Sequence, residues 1–323
     1  MQLYRSTFVV LGASAISCAT TGAVRKDRVS STDFQNWLYT SQIDETTIAL
    51  LDRPDINGVQ ALYSWKILEP EMGQYNFTAI FNDLDTVQSK GKQLWVQLQD
   101  RTFSIANVPT PSYMSTPFYN NGSVPQCDGD DCDNKFEASG WVAQQWNQQV
   151  RERFQALLQA LARSLDGRIF GINFAETSIG VENANGFTCQ AYFDAELENA
   201  KLAANLFHKT YVVQYVNFWP CGYANENNYL SESFEFYAKN GVGVGGPDDI
   251  PFKKAMEANA YPFMLEYSKK VPITVVAVQE PDLKAINPNT TQPFTKEEFT
   301  TFAKNQLGVT LMFWATSAPW LQT

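Results

Sequence analysis

Histidine is almost missing from this chain of 323 residues: His208 stands alone. Its scarcity excludes a zinc centre built on several imidazoles, and any Ser-His-Asp arrangement would rest on that one ring. Its place just before the apolar run Tyr211–Val216 reads as structural or solvated. Positive charge is scarce too, with 24 Lys and Arg against 34 Asp and Glu, a net charge of −10. Nucleic acid and anionic membrane both demand clustered basic side chains, so neither is expected as a partner. No GxxxxGKS or GxxxxGKT phosphate loop occurs, and neither a cofactor nor a metal is expected. Beyond Ser17 no segment is long and apolar enough to span a bilayer as a helix.

The amino end has a different character. Arg5, an apolar stretch from Phe8 to Ile16 and small residues near Ser17 and Cys18 form an export-signal pattern over residues 1–18. Ala15-Ile16-Ser17-Cys18 resembles a bacterial lipobox, with Ala in place of the usual Leu three positions before the cysteine. A lipoprotein would begin at Cys18 and attach to a membrane there; ordinary cleavage nearby would release a secreted chain. The expected location is therefore the periplasm or cell surface, with a lipid anchor in the outer membrane favoured over free secretion. Five cysteines are an odd number, and setting Cys18 aside leaves Cys127, Cys132, Cys189 and Cys221. Four thiols in an exported protein point to two disulfides. Cys127 and Cys132 bracket a tight polar turn, and Cys189 and Cys221 are paired across neighbouring loops.

What the chain has in quantity is apolar and aromatic surface. A hydrophobic fraction of 44% supports a large core, and an aromatic fraction of 14% exceeds what a core demands, leaving rings to line a groove. After a polar tether (residues 19–32), one domain over residues 33–323 alternates short apolar runs with amphipathic stretches. The expected strands are Thr47–Leu51, Val59–Trp65, Gln93–Gln99, Arg168–Ala175, Tyr211–Asn217, Val242–Gly245, Ile273–Gln279 and Val309–Trp314. Helical patterns fall between most of them, and Thr295 followed by Glu298 is a capping-box start. Strands apolar on both faces, alternating with helices, predict an α/β fold, a (β/α)8 TIM barrel. One connection does not fit, because Asp52–Gly58 is too short to cross between parallel strands. The long segment Arg101–Gly140 after the third strand would lie over the strand-end face. Its acidic run Asp128, Asp130, Asp131, Asp133 lacks EF-hand spacing and reads as a solvated turn.

In such a barrel chemistry gathers where strands end. Two of the strands finish on glutamates, the fourth at Glu176 and the seventh at Glu280. A charge at the end of an apolar run is costly to desolvate unless it faces a cleft or a partner. Two carboxyls across one mouth are what acid–base chemistry at a glycosidic bond requires, one donating a proton and one attacking or activating water. The other strand ends supply Trp65, Gln99, Arg101, Asn217, Trp219, Gln279 and Trp314. Aromatic planes suit the apolar faces of sugars and amides suit their hydroxyls, so these are the candidate substrate-binding residues.

The stretch NGVQALYSWKILEPEMGQYNF, residues 57–77, resembles the second-strand region of clan A glycoside hydrolases in its W-x-x-x-E-P-x-x-G-x-Y-x-F pattern. The likeness extends over most of residues 57–320. It implies retaining hydrolysis of a β-linked oligo- or polysaccharide, with Glu176 as acid/base, Glu280 as nucleophile and Trp314 under the sugar. The sequence departs from the family at Ala175, where many members carry an asparagine that bonds the sugar 2-hydroxyl. That bond would come from Asn217 or Gln279, or be absent. The competing expectation is a catalytically inactive carbohydrate-binding lipoprotein of the cell envelope.

Overall fold

A computed structural model of the protein describes residues 34–127, 132 and 136–322. Eight parallel strands close into a barrel in chain order: β1 (Gln35–Thr40), β2 (Gly58–Ser64), β3 (Gln93–Gln99), β7 (Gly171–Glu176), β8 (Tyr211–Tyr215), β9 (Gly243–Gly246), β10 (Thr274–Val278) and β11 (Leu311–Ala315), which returns to β1. Helices α3 (Thr78–Ser89), α4 (Gln148–Leu165), α5 (Cys189–Leu206), α6 (Tyr229–Asn240), α8 (Ala260–Tyr267) and α9 (Lys296–Gln306) form the outer layer, and the four-residue helices α2 (Trp65–Leu68) and α7 (Lys254–Glu257) follow β2 and β9. The expected TIM barrel is the observed fold. The capping box at Thr295 and Glu298 is formed in both directions at the start of α9. The expected export signal, tether, Cys18 and acidic run lie outside the described residues.

The opening of the barrel corrects the sequence reading. Residues 47–51 are not a strand: Glu45–Leu50 is a helix, α1. Asp44 caps it, accepting from the backbone N–H of Thr47 at 2.8 Å and from its hydroxyl at 2.8 Å. Local capping overrides the β-branched content of Thr46-Thr47-Ile48. The true first strand is Gln35–Thr40, and α1 then lies in the crossover to β2, which removes the short connection. The glycines Gly241, Gly243 and Gly246 have the spacing of a dinucleotide loop, yet they run into β9 rather than opening a helix after it.

Alternation along each strand sorts the core into two layers. Inside the barrel, Trp37, Trp95 and Phe313 meet edge to face, with Trp37 and Trp95 centroids 6.2 Å apart. Two glycines make room for them: a Cβ on Gly58 would stand 2.5 Å from the Trp37 ring, and one on Gly171 2.4 Å from Trp95. Above these rings lies a polar layer. Gln60 Nε2 donates to Asn173 Oδ1 at 2.9 Å and to Tyr215 Oη at 2.8 Å, while Trp95 Nε1 donates to the same Asn173 oxygen at 2.9 Å. These bonds offset part of the cost of burial, although Gln60 Oε1 has no hydrogen-bond partner among the described residues, and the layer forms the floor beneath the barrel mouth.

The described residues of the long segment after β3 are structured. A three-stranded antiparallel sheet joins β4 (Arg101–Thr102), β6 (Gly140–Ala143) and β5 (Ser123–Gln126). Cys127 bridges to Gly180, tying this segment to the loop after β7. Both expected disulfides are present, Cys127–Cys132 and Cys189–Cys221. The second fastens the start of α5 to the loop after β8. Among the described residues no helix is long and apolar enough to cross a membrane.

Candidate active site

Glu176 owes its orientation to a bulge. Along β7, Ile172 and Phe174 pack outward in the helix-facing layer, while Asn173 points into the barrel. Strict alternation would send residue 176 outward as well, burying a carboxylate against helices. Instead the register against β8 slips between Phe174 and Glu176, Phe174 pairing with Gln214 and Glu176 with Tyr215. Ala175 is the extra residue, and one inserted residue reverses the parity that follows it. Glu176 thereby joins the inward set. Asn217, inward by its own alternation beyond β8, donates its amide to Glu176 Oε2.

A bulge forfeits ladder partners, and side chains replace them here. Gln214 Nε2 donates to the Ala175 carbonyl at 2.7 Å, Arg101 Nη1 donates to the Glu176 carbonyl, and the Tyr192 hydroxyl donates to the Thr177 carbonyl at 3.0 Å. Arg101 is itself buried and held by Asp100 Oδ1 at 3.0 Å and Glu196 Oε1 at 3.4 Å. Burial pushes the Glu196 carboxyl up to about 8, with Arg101 opposing and Asp100 adding to the rise.

Glu280 stands exposed just past β10, on the lip of a cleft of about 450 Å³ lined also by Tyr39, Thr40, Ser41, Gln42, Asp44 and Thr316. The turn that carries it is fixed by Asp282, whose Oδ2 accepts from the Gln279 backbone N–H at 2.7 Å, while Gln279 Nε2 donates to the Pro247 carbonyl at 2.9 Å. Burial raises the Asp282 carboxyl to about 7, helped by the negative charges of Asp248 and Glu280. Asp248 pairs with Lys253 at 3.1 Å. Tyr39, at the end of β1, lines the same cleft as Glu280. Its phenol is raised by burial and then by Glu280, Asp248, Asp282 and Glu176. Glu176 is not among the residues that line this cleft.

The remaining candidates divide. Asn217 is at the mouth against Glu176, and Gln279 and Gln99 are half-buried at strand ends. The three tryptophans are core residues, a correction to the expectation that they meet a ligand. Trp314 faces outward from β11 against Phe299 and Trp320, donating to Asn36 Oδ1 at 3.0 Å, and is 0% exposed. Trp219 lies under Phe193 and Tyr192 with its N–H on Ser233, and Trp65 packs on Phe154. None offers a ring face to a sugar. Arg101 is likewise removed from the cleft by its buried partners. The sequence reading missed Tyr39 because it missed β1; the alternation Trp37, Tyr39 against Leu38 was the available signal.

The W-x-x-x-E-P-x-x-G motif proves to be a structural staple. Glu69, fully buried, accepts from Trp65 Nε1 at 3.0 Å and from the Gly73 N–H at 2.9 Å, and pairs with Arg153. Gly73 has φ +74°, a conformation that favours glycine. Spacings of four residues bring the indole and the turn to the two oxygens of one carboxylate. Glu69 therefore fixes the turn from inside the core.

No protein-family model matches the chain, and no curated protein does so either. Solved structures do. The endoglycoceramidase II of Rhodococcus sp., in complex with a five-membered iminocyclitol, superposes with a TM-score of 0.54 at 11% identity, covering 88% of this chain and 73% of that one. A psychrophilic glycoside hydrolase family 10 endo-β-1,4-xylanase gives 0.50 at 11% identity over 88% and 87% of the two chains. At such identities the likeness speaks for architecture alone: this chain shares an eight-stranded barrel fold with these two enzymes.

Proposed function

We propose that the protein is an exported retaining glycoside hydrolase acting on a β-linked glycan, with Glu280 as nucleophile and Glu176 as acid/base. The observation that carries the reading is that Glu176 and Glu280 end the fourth and seventh strands of one closed barrel, Glu176 at the bulge after β7 and Glu280 in the lining of the cleft. Glu280 is open to the cleft, as a nucleophile must be. Glu176 is held in place by Asn217 and its anchored backbone, as a proton donor must be. The Glu280 carboxylate attacks the anomeric carbon while Glu176 gives its proton to the departing oxygen. Glu176 then takes a proton from water, which displaces the sugar from the glycosyl ester on Glu280. With Asn173 spent on the barrel floor and Ala175 in the bulge, Asn217 is the amide nearest this chemistry by its bond to Glu176. Two disulfides support an oxidising location, and anchoring through Cys18 belongs to the same reading.

Aryl and alkyl β-glycosides with the purified mature chain test the proposal. Glu176→Gln and Glu280→Gln are each expected to lower kcat/KM on alkyl glycosides about a hundredfold or more with the fold intact. Turnover near that of the wild type in either variant refutes it. The rival reading, glycan capture without turnover, is favoured by Ala175 standing where an asparagine would hold the 2-hydroxyl. It predicts glycan binding by the wild type with no hydrolysis.

A further inference from the structure

We infer that Arg101 is a positioning residue for the acid/base, setting the place of Glu176 through its backbone. The inference rests on the functional reading above. Three consecutive carbonyls, at Ala175, Glu176 and Thr177, are each held by a buried side chain, and the three come from different elements: Gln214 from β8, Arg101 from β4 and Tyr192 from α5. The middle one is the carbonyl of Glu176 itself. Arg101 Nη1 divides its donation between that carbonyl and the Tyr192 hydroxyl at 3.0 Å, which passes the constraint on to Thr177. Asp100 and Glu196 fix the guanidinium, and Gln145 Nε2 donates to the other Asp100 oxygen at 2.9 Å.

Desolvating an arginine and two carboxyls is expensive, and an apolar cluster of the same volume is often no less stable. A fork of rigid donors supplies geometry instead. It holds a bulged peptide that the strand ladder no longer controls, so that the carboxyl above it meets a leaving oxygen within a few tenths of an ångström. A proton donor displaced by about 1 Å loses much of its advantage, while a nucleophile on another strand is untouched.

Leaving groups separate this role from general damage. Departing groups that are stable as anions need no proton in the first step, and alkoxides do. Arg101→Lys keeps a positive charge beside Asp100 but loses the fork. It is expected to lower kcat/KM about tenfold or more on alkyl β-glycosides and less than about threefold on dinitrophenyl β-glycosides. Tyr192→Phe, which keeps the ring and removes the relay to Thr177, should show the same selectivity to a smaller degree, and it serves if the lysine variant does not fold. Glu176→Gln is run beside them. If Glu176→Gln is leaving-group selective and the Arg101 and Tyr192 variants lose activity uniformly or not at all, this inference is overturned and the functional reading stands. If the wild type hydrolyses no glycoside, or Glu176→Gln lacks the selectivity, both fall.

Discussion

Asn217 donates its side-chain amide to Oε2 of Glu176, joining the ends of two adjacent barrel strands across the bulge. Asn217→Ala should leave the carboxyl less well oriented and lower kcat/KM on alkyl β-glycosides about tenfold, with a smaller loss on dinitrophenyl β-glycosides, whose departure needs no proton. Steady-state kinetics on both substrates check it. Turnover of the alkyl glycoside equal to that of the wild type would show that this bond does not orient the acid/base.

Trp314 gives a prediction of the opposite kind. Its ring is enclosed by Phe299 and Trp320, and its N–H is taken by Asn36. Trp314→Phe should cost about 1–3 kcal/mol of stability through lost packing and an orphaned Asn36 oxygen. The KM for a glycoside should stay within about twofold of the wild type, since no substrate contact is lost. Chemical denaturation and steady-state kinetics on the same preparation decide. A KM raised about tenfold with stability unchanged would return Trp314 to the cleft.

Trp314 also shows where sequence reasoning stops. Strand order and the chain positions of Glu176 and Glu280 were legible because apolar runs bounded by polar ends mark parallel strands, and both glutamates fall where runs end. Which way a side chain points was less legible. Trp314 and Glu176 each sit at a strand end, yet one faces the helices and the other the mouth. Only the extra residue at Ala175 puts Glu176 there, and a one-residue bulge leaves no mark in hydrophobic pattern. The first strand was lost for a related reason. Gln35-Asn36 and Thr40 dilute the apolar signal of Trp37-Leu38-Tyr39, while Thr46-Thr47-Ile48 mimics a strand until the Asp44 cap is weighed. The arginine that anchors Glu176 was read as a ligand contact because burial depends on partners distant in sequence, with Glu196 95 positions away.

Two buried carboxyls make stability depend on pH in the neutral range. Glu196 is raised from an ordinary value of 4.5 to about 8 by burial, opposed by Arg101 and reinforced by Asp100. Asp282 is raised from 3.8 to about 7 by burial and Asp248, with the Gln279 N–H and Lys253 opposing and Glu280 adding. For a raised acid the folded state binds the proton more tightly than the unfolded chain. Its stability is complete below the unfolded value and is lost as pH rises through the folded one. Glu196 therefore weakens the fold as pH rises from about 4.5 to about 8, and Asp282 does so from about 3.8 to about 7. Asp44 and Glu298, lowered by backbone hydrogen bonds at helix starts, act the other way and withdraw support only in stronger acid. The fold should be more stable at pH 5 than at pH 8. Glu196→Gln, neutral at every pH, should flatten that slope and raise Tm at pH 8 by about 2–4 °C for each kcal/mol recovered. Thermal unfolding of both proteins from pH 4.5 to pH 8.5 measures the effect. Parallel curves would show that Glu196 is ionised throughout, paired with Arg101 rather than protonated beside it.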